Sequence, residues 1–120
     1  NKYKKQLISA TSKILWLTDC KVNHIIFDTR AFYALSFLSG KIIPGEGLAK
    51  YNNYTSEWKE LFAEHQLEII AAAKKVKKFY EHCDHFNDEQ AISEMTNDWF
   101  HRRVFDMYLW SYKIPIKCSL

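Results

Sequence analysis

Residues 55–81 read TSEWKELFAEHQLEIIAAAKKVKKFYE, and this stretch decides the fold class. Trp58, Phe62, Ile69, Ala73, Val76 and Tyr80 recur at helical spacing, which predicts one long amphipathic helix ending near Glu81. Thr55 or Ser56 is the expected cap, since either hydroxyl can accept from the open N–H groups of a first turn. Glu57, Glu60 and Glu64 crowd the start and Lys74, Lys75, Lys77 and Lys78 the end, the charge order that a helix dipole prefers.

The flanking sequence repeats the pattern. Lys2 to about Thr18 places Tyr3, Leu7, Ile8, Ile14 and Leu15 on a helical face, closed by Thr18-Asp19-Cys20-Lys21. Val22 to Phe27 reads as an extended connector packed on the core. Asp28 or Thr29 then caps a helix whose inner face is Ala31, Phe32, Leu35 and Leu38, and Gly40 supplies its left-handed stop. Lys41 to Asn53, with Pro44, Gly45 and Gly47, is the expected main loop, with one helical turn near Leu48. Asn87 and Gln90 resemble a capping box for a short helix through Met95. Thr96 or Asn97 opens a last helix carrying Trp99, Phe100, Val104, Met107, Tyr108 and Leu109, and Pro115 ends it.

Three glycines and two prolines in 120 residues are too few for an all-β chain, which needs a turn every dozen residues. The expectation is a single all-α domain over residues 1–120, an irregular or orthogonal bundle of about five helices, and the back part of a longer polypeptide. A hydrophobic fraction of 48% rules out a disordered tail. The net charge of +3 permits nucleic-acid contact without demanding it. Cys20, Cys83 and Cys118, odd in number and widely spaced, form no disulfide framework and point to a reducing, cytoplasmic compartment. No apolar run approaches the roughly 18 residues of a membrane span, so no membrane partner is expected.

Several clusters have chemical potential. In Ile25-Ile26-Phe27-Asp28-Thr29-Arg30-Ala31, an acid sits where an apolar connector meets a helix; an ordinary cap with Arg30 on the surface explains it by itself. His82-Cys83-Asp84-His85 has zinc-type residues but no second pair, so a polar helix end is expected and no metal. Arg102 and Arg103 can hold phosphate, although Asp106, four and three residues on, offers them helical salt bridges. Trp16, Trp58, Trp99 and Trp110 fall on apolar faces as core anchors, one of them free to line a pocket. Nothing implies a cofactor.

The stretch from Ser12-Lys13-Ile14-Leu15 through Phe27-Asp28-Thr29-Arg30 to Leu38-Ser39-Gly40 resembles the catalytic-aspartate region of helix-hairpin-helix DNA glycosylases. The resemblance implies a DNA-binding or repair-related domain, catalytic or not. Asp28 would be the carboxylate that supports base excision, with Lys13, Arg30, Arg102 and Arg103 along the nucleic acid. The chain departs from the family in lacking its glycine hairpin turn before Asp28; Pro44-Gly45-Glu46-Gly47 follows it instead, and Arg30 replaces a histidine. The alternative is a helical protein-interaction module of regulatory, accessory or immunity type, which binds a partner through an apolar surface.

Overall fold

Six helices and no strand make up the described part of the chain, which a computed structural model covers over residues 10–17, 19 and 24–115. The helices are α1 (10–17), α2 (Thr29–Ser39), α3 (Gly47–Glu64), α4 (Gln66–Glu81), α5 (Glu89–Glu94) and α6 (Asp98–Ser111). Lys2, the front of the expected first helix, Thr18, Cys20, Lys21, Val22 and Cys118 lie outside the described residues.

Local chemistry explains α2 completely. Asp28 has extended backbone and its carboxylate accepts from the Arg30 N–H, while Gly40 at φ 69° closes the other end and donates to the carbonyls of Phe37 and Ser36. Ala31, Phe32, Ala34 and Leu35 are its buried face, so the expected stripe holds, with Leu38 half-buried at its end. The connector before it has no regular structure over 24–28, and its Ile25 and Phe27 are buried as expected.

The long helix differs from expectation at both its start and its middle. It begins at Gly47, within the expected loop, and Thr55 is not a cap but a mid-helix residue whose hydroxyl donates back to the Asn52 carbonyl at 2.9 Å. Asn52 and Asn53 have poor helix propensity, but tertiary partners hold this turn in place. Asn53 Nδ2 donates to the Pro44 carbonyl at 3.0 Å, and Tyr51 Oη to the Ile25 carbonyl at 2.7 Å. His65 then divides the pattern into α3 and α4 with a φ of −109° and ψ of 19°. Its N–H still reaches the Leu61 carbonyl at 3.1 Å and its own carbonyl accepts from Ile69 at 3.0 Å, so the division costs no hydrogen bond at that residue. Two segments can serve two neighbours: α3 packs on α2, and α4 on α6.

Two further expectations shift. Asp88, one residue after Asn87, caps α5 by accepting from the Ala91 N–H at 3.0 Å. In α6 the buried face is His101, Phe105, Asp106 and Leu109, whereas Met107 and Tyr108 are exposed, and the helix stops at Ser111, four residues before Pro115. The core is aromatic at its centre. Tyr54 and Trp58 are almost wholly buried, with Phe27 edge-on to Tyr54 at 5.1 Å and Phe105 edge-on to Trp58 at 5.0 Å. Among the described residues no helix is long and apolar enough to cross a membrane.

Candidate functional site

The site is built from the way the connector is pinned to α1. The Phe27 N–H donates to Ser12 Oγ at 2.9 Å, and Ser12 is buried. One residue further along each strand of chain, Lys13 Nζ lies 3.3 Å from Asp28 Oδ2, while Asp28 Oδ1 accepts from the Arg30 N–H at 2.9 Å. The cap of α2 is therefore also half of an ion pair, and both carboxylate oxygens are engaged.

Lys13 and Asp28 lie on the wall of a cavity of about 400 Å³. Trp16 from α1, Ala31 from α2 and Arg103, Asp106 and Trp110 from α6 complete most of the lining. Two cations rest on its tryptophans: the Arg30 guanidinium stands 5.3 Å from the centre of the Trp110 ring, and that of Arg103 stands 5.0 Å from Trp16. Four of the five expected site residues, Asp28, Lys13, Arg103 and Arg30, thus meet at one cavity, the last through its contact with Trp110. Arg102 lies outside the lining, half-buried on the same helix. Of the tryptophans, Trp58 is a core anchor as expected, while Trp16 and Trp110 both line the cavity.

Asp106 corrects the expected salt bridge. Its carboxylate accepts from Trp58 Nε1 at 3.0 Å, and the guanidinium groups of Arg103 and Arg102 act on it through charge. Burial pushes the Asp106 carboxyl up from 3.8 to about 7, against the opposing pull of the Trp58 N–H and the two arginines. Tyr54 Oη, four residues before Trp58 on α3, is sealed from solvent and has no hydrogen-bond partner among the described residues. Burial raises this phenol well above its ordinary value, and the charges of Asp106 and Asp28 add to the effect. Sequence reasoning missed Asp106 as a cavity group, yet a signal was present. It shares a helical stripe with Phe105 and Leu109, and an acid on an apolar stripe needs a partner.

The remaining clusters are local structure. His82 Nδ1 pairs with the Lys78 carbonyl at 2.8 Å, which places that imidazole on the last turn of α4. Lys74, Lys75 and Lys78 are exposed, and Lys77 pairs with Glu81 at 3.8 Å, as a solvated helix face does. Among the described residues, no three His, Cys, Asp or Glu side chains lie close enough to hold a metal ion. No protein-family model matches the chain, and no curated protein or solved structure matches it either.

Proposed function

We propose that this domain binds nucleic acid and seats an everted base, or the sugar of an abasic site, in the cavity beside Asp28 and Lys13. The observation that carries this reading is the Lys13–Asp28 pair, 3.3 Å apart on the wall of a cavity of about 400 Å³ that is faced by Trp16 and Trp110. That volume falls within the ~300–1,000 Å³ usual for ligand sites. Tryptophan faces suit stacking against a base, and the nearby guanidinium groups of Arg30 and Arg103 suit phosphate.

The chemistry follows from the residue types. A carboxylate at a helix start opposes the positive charge that develops on a sugar as its bond to the base breaks. A primary amine at the same place attacks the aldehyde carbon of a ring-opened abasic sugar, forming a C–N bond; loss of water then leaves an imine. Asp28 and Lys13 are the residues assigned to these two roles. The resemblance of the 12–40 region to DNA glycosylases supports the same reading.

Fluorescence anisotropy with duplex DNA carrying an abasic-site analogue, at two salt concentrations, tests it. Binding should favour the lesion and weaken with salt. Asp28→Asn is the informative variant, because asparagine caps a helix nearly as well as aspartate and so removes charge with little loss of structure. Borohydride added to a natural abasic duplex should leave a covalent adduct that Lys13→Ala abolishes; lesion binding without an adduct assigns the cavity to recognition alone. The absence of any binding at low salt sinks the proposal.

A different observation favours a second reading. Phe37, Tyr108 and Tyr112 adjoin one another, with ring centres 6.1 and 5.7 Å apart, and the first two are about half exposed. They form an apolar surface of the kind that a helical protein-interaction module uses. Loss of DNA binding in the experiment above moves the assignment to that surface.

A further inference from the structure

The cavity holds a second carboxylate that the proposed chemistry does not use. Asp106 is 6% exposed and reaches the lining from α6. Trp58, itself 2% exposed, donates to its Oδ1 at 3.0 Å. That bond orients the carboxyl group, and Oδ2 receives no donor from the described residues. A carboxylate oxygen on the wall of a cavity can accept from whatever donor the cavity admits. The bond to the buried Trp58 N–H accounts for one carboxylate oxygen, and the other is left for a donor that enters the cavity.

We infer that Asp106 reads the edge of the ligand in this cavity: its free oxygen accepts a hydrogen bond from a ring N–H or an exocyclic amino group. The site thereby selects a base that carries a donor on its edge. This inference rests on the proposed nucleic-acid reading and adds to it the class of base. Trp16 and Trp110 line the cavity with indole rings that suit a planar base, Lys13 and Arg103 supply positive charge, and Asp106 supplies the acceptor that makes the choice.

A dependence on pH follows from the same geometry. Titratable or charged groups face Asp106 from each neighbouring element. They are Arg102 and Arg103 on its own helix, Tyr51 and Tyr54 on α3, Lys13 on α1 and Asp28 at the start of α2. Both tyrosines are raised above their ordinary range and stay neutral around neutrality. Asp106 itself changes charge at about pH 7, so preference for a donor-bearing base strengthens as pH rises through that value.

The test uses short duplexes that each carry one unpaired position: adenine, guanine, purine (which has no edge donor) or an abasic analogue. At pH 8 the better of adenine and guanine should bind roughly tenfold more tightly than purine, the usual worth of one good edge contact. This ratio should fall towards one at about pH 6. Asp106→Asn keeps an acceptor for Trp58 but turns an amino group towards the ligand, so it should lose the preference, read as the ratio of adenine or guanine to purine binding within the same protein. A ratio near one at pH 8, or an undiminished ratio in Asp106→Asn, with abasic binding intact, overturns the inference and leaves the proposed function standing. Failure of the wild type to bind any of the four duplexes overturns both. Should the variant not fold, the pH series on the wild type decides alone, and a preference that does not change with pH refutes the role of Asp106.

Discussion

At the scale of single residues, Asp106 couples stability to pH in a direction opposite to that of most acids. Its carboxyl titrates at about 7 in the fold against an ordinary 3.8, so between those values the folded state binds more protons than the unfolded chain. Stability from this group therefore falls as pH rises from about 4 to about 7 and is level above that. Asp106→Asn removes the change. It should be more stable than the wild type at pH 8 by about 2–4 kcal/mol, the two converging near pH 4. Urea denaturation of both proteins at pH 4, 6 and 8 measures this, and parallel profiles would show that burial does not set this group's charge. Asp106 was misread from the sequence because helical spacing to Arg102 and Arg103 offered a sufficient partner. The actual donor, Trp58, is far away along the chain.

At the scale of elements, what decides legibility is how far apart the stabilising partners lie. The helix α2 is bounded by Asp28 and Gly40, both of which act within a turn of themselves, and its limits follow from sequence. The start of α3 depends on bonds from Tyr51 to Ile25 and from Asn53 to Pro44, and no local pattern announces them. Glycine substitutions separate local from non-local cost in the same region. Gly40 has φ +69° with open space around an added Cβ, so Gly40→Ala should cost about 1 kcal/mol, from backbone conformation alone. Gly45 has φ +101°, and an added Cβ would meet the Lys50 backbone nitrogen at 3.0 Å and the Ala49 carbonyl carbon at 3.2 Å. Gly45→Ala should therefore destabilise clearly more than Gly40→Ala. Thermal unfolding of both variants checks the order, and equal losses would mean that the turn before α3 yields without strain.

At the scale of the whole molecule, α6 is the element that joins the parts. It packs on α2 and on α4, and its side chains reach both the core and the cavity. Leu109 is fully buried at that junction, and Leu109→Ala should cost about 2–5 kcal/mol through lost contacts and a residual void. Leu67 has the same chemistry but is 84% exposed on α4, and Leu67→Ala should stay within about 0.5 kcal/mol. Denaturant midpoints for the two variants give the comparison directly, and similar losses would contradict the burial of α6.

Helical periodicity, sparse Gly and Pro, and local caps were enough to establish an all-α chain and the face that α2 buries, because these depend on residues within a turn or two of one another. They also located Asp28 as a local cap, whereas its candidacy as a site residue came from the resemblance of the 12–40 stretch to DNA glycosylases. Only the tertiary structure decided that Lys13 meets Asp28, that two tryptophans leave the core to face a cavity, and that Trp58 reaches across to Asp106. Each of these contacts joins residues 15 or more positions apart or sits on a different helix. Such contacts exist only once α1, the connector, α3 and α6 have packed, and a one-dimensional pattern carries no trace of them.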